Sequence, residues 1–171
     1  MSALELFSIR HSIRRFEATD VTDAQIQLLL QAAISAPSAG NLQPWHFYVV
    51  RDAGLRKALG KAAHDQPSFS TAPLVITVCA VPEKCAVKYG DRGRMLYCIQ
   101  DTAAAIENLL LSAASQGLGA CWCGAFDELA ASAALALPEG HRPIAIIPIG
   151  VPAGEPRITR REPLTQVVTQ I

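Results

Sequence analysis

Arg10-His11-Ser12-Ile13-Arg14-Arg15-Phe16 is the densest cationic cluster in the chain. Guanidinium forks match phosphate oxygens two bonds at a time, and a hydroxyl between them adds a neutral donor. The run falls between two expected helices, off any solvated helical face, so an anion site is one reading. A charged turn that keeps the surface soluble is the other. A second basic pair, Arg160-Arg161, precedes Glu162-Pro163 near the C-terminus. Cations at both ends of the chain would suit one anionic ligand held from two sides, or two patches of solvated charge.

The stretch APSAGNLQPW, residues 36–45, links an expected helix to an expected strand. A plain connection needs only about two to six residues and little chemistry. Here Pro37 and Pro44 fix the path, Gly40 permits a turn, and Ser38, Asn41 and Gln43 offer hydrogen bonds. Trp45 reads as the buried anchor that begins the strand. The five cysteines, Cys79, Cys85, Cys98, Cys121 and Cys123, are odd in number, and only Cys121 and Cys123 are closely spaced. Small buried hydrophobes suit them better than a disulfide framework or a zinc site. Gly117-x-Gly119-x-x-Trp122 follows a helix and lacks the third glycine, so it is not a dinucleotide fingerprint. The sequence has no phosphate-loop motif, and no Ser-His-Asp or paired-carboxylate arrangement has convincing spacing.

The elements that must position these residues are legible in part. Ser2-Ala-Leu-Glu5 and Thr22-Asp-Ala-Gln25 are capping boxes. The second has Val21 and Ile26 at staple positions and predicts a helix over 22–35. Residues 46–51 and 73–81 read as strands, 53–63 as a helix capped by Asp52, and 82–94 as polar and irregular. A long Ala-rich helix is expected over 95–116 and a short one over 127–136, capped by Asp127. Residues 144–151 read as a buried strand whose Pro148 belongs at a bulge or an edge. The last twenty residues read as an extended polar arm. Helices and strands intermix without βαβ repetition, which predicts an α+β fold with a mixed, mainly antiparallel sheet flanked by helices.

The 171 residues, half of them apolar, fit one domain spanning 1–171. Zero formal net charge argues against nucleic-acid binding driven by counterion release. The chain opens without an apolar signal stretch and has no apolar run of about eighteen residues, so a soluble cytoplasmic protein is expected.

RHSIRRF, LLLQAAISAPSAGNLQPWHFYVV, AAAIENLLLSAASQGLGACWCGAFD, IPIGVP and RREPLTQVV, in this order and spacing, strongly resemble the nitroreductase family of flavoproteins. The resemblance implies an intertwined homodimer with an extended C-terminal arm and FMN sites at the subunit interface. It implies that Arg10, Ser12 and Arg14, with His11 between them, bind the FMN phosphate and the pyrimidine side of its ring. Pro37, Ser38, Asn41 and Gln43 would approach the flavin from the other subunit. Cys121, Trp122, Cys123 and Gly124 would lie along the ring, and Arg161, better than Arg160, would reach the phosphate. The implied activity is ping-pong hydride transfer from NADH or NADPH to a small flat acceptor, nitroaromatic or quinone-like. The chemistry would reside on the flavin, with Arg14 as an electrostatic stabiliser.

This chain departs from many members of the family between its second strand and its long helix. PEKCAVKYGDRGR is too short for a central helical lid, so the family's acceptor preferences do not transfer. Cys85, Lys88, Tyr89, Asp91, Arg92 and Arg94 either line the pocket mouth or are solvated. A shallow pocket also leaves room for a non-catalytic FMN carrier or sensor, or for a ferredoxin-linked flavoprotein. A thiol-redox protein using Cys121 and Cys123 stands outside flavin chemistry altogether.

Overall fold

The computed structural model describes residues 2–171. In chain order the elements are α1 (Ala3–Ile9), α2 (Asp23–Ile34), a 3₁₀ turn (Ala39–Asn41), β1 (Trp45–Val50), α3 (Ala53–Ala62), α4 (Ser68–Thr71) and β2 (Leu74–Ala80). They continue with α5 (Pro82–Arg92), a π turn (Gly93–Tyr97), α6 (Cys98–Ser115), β3 (Gly119–Ala120), α7 (Glu128–Ala134), β4 (Arg142–Gly150) and α8 (Leu164–Val167). Both capping boxes form. Ser2 Oγ accepts from Glu5 N at 3.3 Å while the Glu5 carboxylate accepts from Ser2 N at 2.6 Å. Thr22 and Gln25 make the same exchange at 3.3 and 3.0 Å. Each cap is worth about 1 kcal/mol, and Val21 and Ile26 are buried beside the second.

The sheet runs β1-β2-β4-β3, with every pairing of named strands antiparallel. Every residue of β2 is buried, as expected of a strand covered on both faces. Its period of two sorts the side chains. Leu74, Ile76 and Val78 join Ile147, Ile149, Leu29, Ile106 and Leu109 beneath α2 and α6. Val75 faces the other way and joins Ile146, Leu59, Phe69 and Ala131 beneath α3, α4 and α7. The molecule is therefore a sheet between two helical layers. Arg142 ties β4 to α7 by a two-pronged pair with Glu128, both contacts at 2.9 Å.

Three expectations need correction. Residues 82–94 are helical, not irregular. Pro82 takes the first turn of α5, and Arg94 clamps back onto Glu83 and Asp91 at 2.8 and 2.6 Å. Gly90 breaks the helix locally, and Cys85 is its only buried residue, so no apolar stripe marked it in the sequence. The long helix proper begins at Cys98, with the π turn filling 93–97. Pro148 lies neither at the register shift, which falls between Val78 and Cys79, nor on an edge strand. Its carbonyl accepts from Cys121 N at 3.3 Å, so its ring nitrogen faces the β3 side, where the ladder forgoes one rung and resumes at Cys123–Ile146. The short α4, β3 and α8 carried no readable signal, and α8 interrupts the expected arm.

Candidate functional site

The segment after α1 is laid along the β3 edge by backbone bonds. Ile13 N donates to Ala120 O at 3.0 Å, Glu17 N to Val151 O at 2.9 Å, and Ala153 N to Arg15 O at 3.0 Å. Ser12 bridges Ala120 in parallel, the one parallel pairing among the described residues. Ile13 packs directly over Gly119, where an added Cβ would lie 2.7 Å from three Ile13 carbons, so only glycine lets the two strands approach. Phe16 is buried and pins the end of the segment.

With the backbone fixed this way, Arg10, His11, Ser12 and Arg14 line a hollow of ≈ 290 Å³. Arg157, Thr159 and Arg161 close it from the C-terminal stretch, and Arg161 Nη1 donates to Thr159 Oγ1 at 2.9 Å. Among the described residues, four guanidinium groups share this wall and no carboxylate lines it. The nearest acid partner is Glu107, 3.5 Å from Arg10. Like charges gathered round one concavity repel unless an anion fills it. A phosphate group meets that demand, since its oxygens accept from several forks at once. A cavity of ≈ 520 Å³ between α3 and α4 offers less, because Arg56 is already committed to the carbonyls of Arg51 and Ala72.

Cys121–Gly124 run beside this hollow. Cys123 exchanges both backbone bonds with Ile146, at 3.1 and 3.0 Å, while Trp122 and Gly124 point outward and are exposed. Burial pushes the Cys121 thiol up, against the opposing pull of Arg14 and Ser12. The Cys123 thiol is also raised by burial, although Gln66 Nε2 donates to it at 3.0 Å. Cys85 and Cys79 are pushed up to about 11 and about 12. Thiols so shifted stay protonated near neutrality and make poor nucleophiles. All five are free, and among the described residues no group of three or more His, Cys, Asp or Glu could hold a metal. Serine at both Cys121 and Cys123 is accordingly expected to leave turnover within about twofold of the parent, measured by steady-state assay. A loss of a hundredfold or more would return the thiols to the chemistry.

Pro37, Ser38, Asn41 and Gln43 lie elsewhere. They lead into β1, whereas the arginine hollow adjoins β3 at the opposite edge, about 14 Å away by strand spacing. The loop is held by Asp101, whose carboxylate accepts from Ala39 N at 3.1 Å, and by Ser38 Oγ, which accepts from Gln43 N at 3.0 Å. Asn41 and Gln43 both take positive φ, 57° and 48°. One chain thus brings Arg10, His11, Ser12, Arg14 and Arg161 together beside Cys121–Gly124 and leaves the loop out. Arg157, Thr159 and Gln66 were not anticipated. Arg157 lay three residues before the basic pair that drew attention, and Gln66 reaches its place only through tertiary packing of the loop before α4.

The chain matches the model of the Nitroreductase family over residues 8–83 and 65–151. A protein of Archaeoglobus fulgidus, named provisionally as an NADH dehydrogenase/NAD(P)H nitroreductase, is 35% identical over 156 residues, covering 89% of this chain and 86% of its own. The crystal structure of a nitroreductase family protein from Clostridium novyi superposes with a TM-score of 0.81 at 31% identity, covering 89% and 86% of the two chains. The NADPH:FMN oxidoreductase of Vibrio harveyi, solved in complex with NAD+, superposes with a TM-score of 0.88 at 28% identity, covering 98% and 76%. Family model, relative and fold agree: the chain belongs to the nitroreductase family.

Proposed function

We propose that this protein is an FMN-dependent oxidoreductase that takes hydride from NADH or NADPH and reduces a small flat acceptor, nitroaromatic or quinone-like, in a ping-pong cycle. The observation that carries it is the four-arginine hollow without a carboxylate in its lining, in a chain of this family. Arg10, Ser12 and Arg14 would hold the FMN phosphate and the pyrimidine side of the ring, with His11 beside them and Arg161 closing over the phosphate. FMN held there would supply two-electron redox chemistry. Arg14 would oppose the negative charge that reduction brings. Cys121, Trp122, Cys123 and Gly124 would border the ring, with Gln66 bracing their path.

The loop of Pro37, Ser38, Asn41 and Gln43 would serve the hollow of a second copy. Large apolar groups stand exposed on one chain: Leu4 and Phe7 on α1, Leu28 and Ile34 on α2, and Ile158, Leu164 and Val167 on the arm. Every residue from 157 to 171 is exposed. Apolar surface on this scale fits a subunit interface. Among the described residues no helix is long and apolar enough to cross a membrane.

The test is anaerobic titration of the purified protein with NADH, NADPH and reduced ferredoxin in turn. A yellow protein that either nicotinamide bleaches, and that a quinone or nitroaromatic recolours, is the expected result. Bleaching by ferredoxin alone would overturn the donor, and bound flavin that no acceptor reoxidises would make the protein a carrier or sensor.

A further inference from the structure

The helix that replaces the expected irregular segment carries chemistry that the proposed cycle leaves unused. α5 leans on the Pro37–Gln43 loop: Lys84 Nζ donates to Gln43 O at 3.3 Å. A Cβ at Gly40 would lie 2.7 Å from Tyr89 Oη and 2.8 Å from Lys88 Nζ, so both groups rest on the turn of that loop. Beside that turn lies a ridge of two packed rings with a cation at each end. Lys88 Nζ sits 5.3 Å from the Tyr89 ring centre, and Tyr89 meets Tyr97 edge-on at 5.2 Å. Arg92 lies over Tyr97 at 5.3 Å and donates to its hydroxyl at 2.9 Å.

Lys84, Lys88, Arg92 and Arg94 against Glu83 and Asp91 leave this stretch a net charge of +2. Both acids are paired with Arg94. Lys84, Lys88 and Arg92 form no salt bridge among the described residues. Lys88 and Arg92 are exposed, and both tyrosines are half-buried. The cation–π contacts hold the two charged heads in place before any ligand arrives, which lowers the ordering cost of binding.

We propose that this ridge selects the electron acceptor, favouring flat aromatic acceptors that carry a carboxylate or sulfonate. The inference rests on the reading that the Pro37–Gln43 loop borders a flavin site, which puts the ridge at the mouth of that site. An aromatic body packs against Tyr89 and Tyr97, and its anionic substituent accepts charge-assisted bonds from Lys88 and Arg92. A neutral acceptor of equal size gains only the packing. The 2′-phosphate of NADPH is the other anion with access to a flavin site, and the experiment separates the two.

The flavin-loaded protein is compared with its Lys88→Ala/Arg92→Ala double variant and with Lys88→Arg/Arg92→Lys, which keeps both charges. Calorimetric titration measures Kd for naphthalene-2-sulfonate against naphthalen-2-ylmethanol, neither of which accepts hydride. Turnover with NADH measures kcat/KM for naphthoquinone-2-sulfonate against naphthoquinone. In both assays the alanine variant should lower the anionic-to-neutral ratio about tenfold or more, and the charge-keeping variant should hold it. Unchanged flavin content in both variants shows that the site is still built. A sulfonate that binds the parent no more tightly than the alcohol overturns the proposal, as does a ratio the alanine variant leaves unmoved. A shift in NADPH-over-NADH preference in its place assigns the ridge to the donor and overturns it equally. If the parent holds no flavin, or no nicotinamide bleaches it, the oxidoreductase reading itself has failed; the calorimetric ratio still judges the ridge.

Discussion

The Arg10→Ala/Arg14→Ala double variant should purify colourless. Among the described residues Arg14 is exposed and forms no salt bridge, and Arg10 has only a 3.5 Å contact with Glu107. Neither side chain holds up the core, because the segment's place is fixed by the backbone bonds of Ile13 and Glu17 and by buried Phe16. The variant should therefore fold. A charge-assisted hydrogen bond contributes about 1.5–3 kcal/mol, so losing two forks weakens FMN binding by roughly a hundredfold to ten-thousandfold. Quenching of FMN fluorescence on titration reads the affinity directly. Thermal melts should be compared with flavin-stripped parent protein, since bound ligand raises stability by mass action. Parent-like FMN affinity in the double variant would move the phosphate away from this hollow.

Mixing that variant with Asn41→Gly should restore activity that neither has alone. The glycine keeps the left-handed backbone of position 41 and removes only the amide. If each flavin takes its arginines from one chain and its loop from the other, every mixed dimer holds one intact site and one doubly damaged site. Random pairing at equal concentrations then gives about a quarter of parent activity after dissociation and reassociation. If the loop served its own chain, no mixture would recover anything. Strain of this kind collects at functional loops, whichever chain they serve. Asn41 and Gln43 are held at positive φ, at a cost of about 1–3 kcal/mol each. The bonds to Asp101 and Ser38 that hold them there leave the loop's tip exposed, outside its own chain's core.

What the sequence made legible was what neighbouring residues decide together. Ser2 and Glu5, or Thr22 and Gln25, close a cap within four residues, and β2 announces its double burial in one apolar run. Arg10, Ser12 and Arg14 also fall within five residues, so a phosphate-binding pattern could be suspected before any fold was known. α5 hid because its order comes from Arg94 reaching back to Glu83 and from its seat on the loop, neither of which leaves an apolar stripe. Gln66, Arg157 and Thr159 hid for a similar reason: each meets the site across a long stretch of chain. The preference for Arg161 over Arg160 came from the family resemblance alone; Arg161 lines the hollow.

Pro148 has a consequence for the residues beside the hollow. In the register that pairs Gly119 with Gly150 and Cys123 with Ile146, Cys121 and position 148 should exchange two bonds, and only the Cys121 amide finds its partner. Any residue with a backbone N–H would zip that rung shut. Proline leaves the Cys121 carbonyl unspent, forgoing about 1 kcal/mol of ladder. The strand edge thus keeps a backbone acceptor in reserve, independent of any side chain, on the stretch that borders the arginine hollow. Substitution of Cys121 or Trp122 would leave it in place.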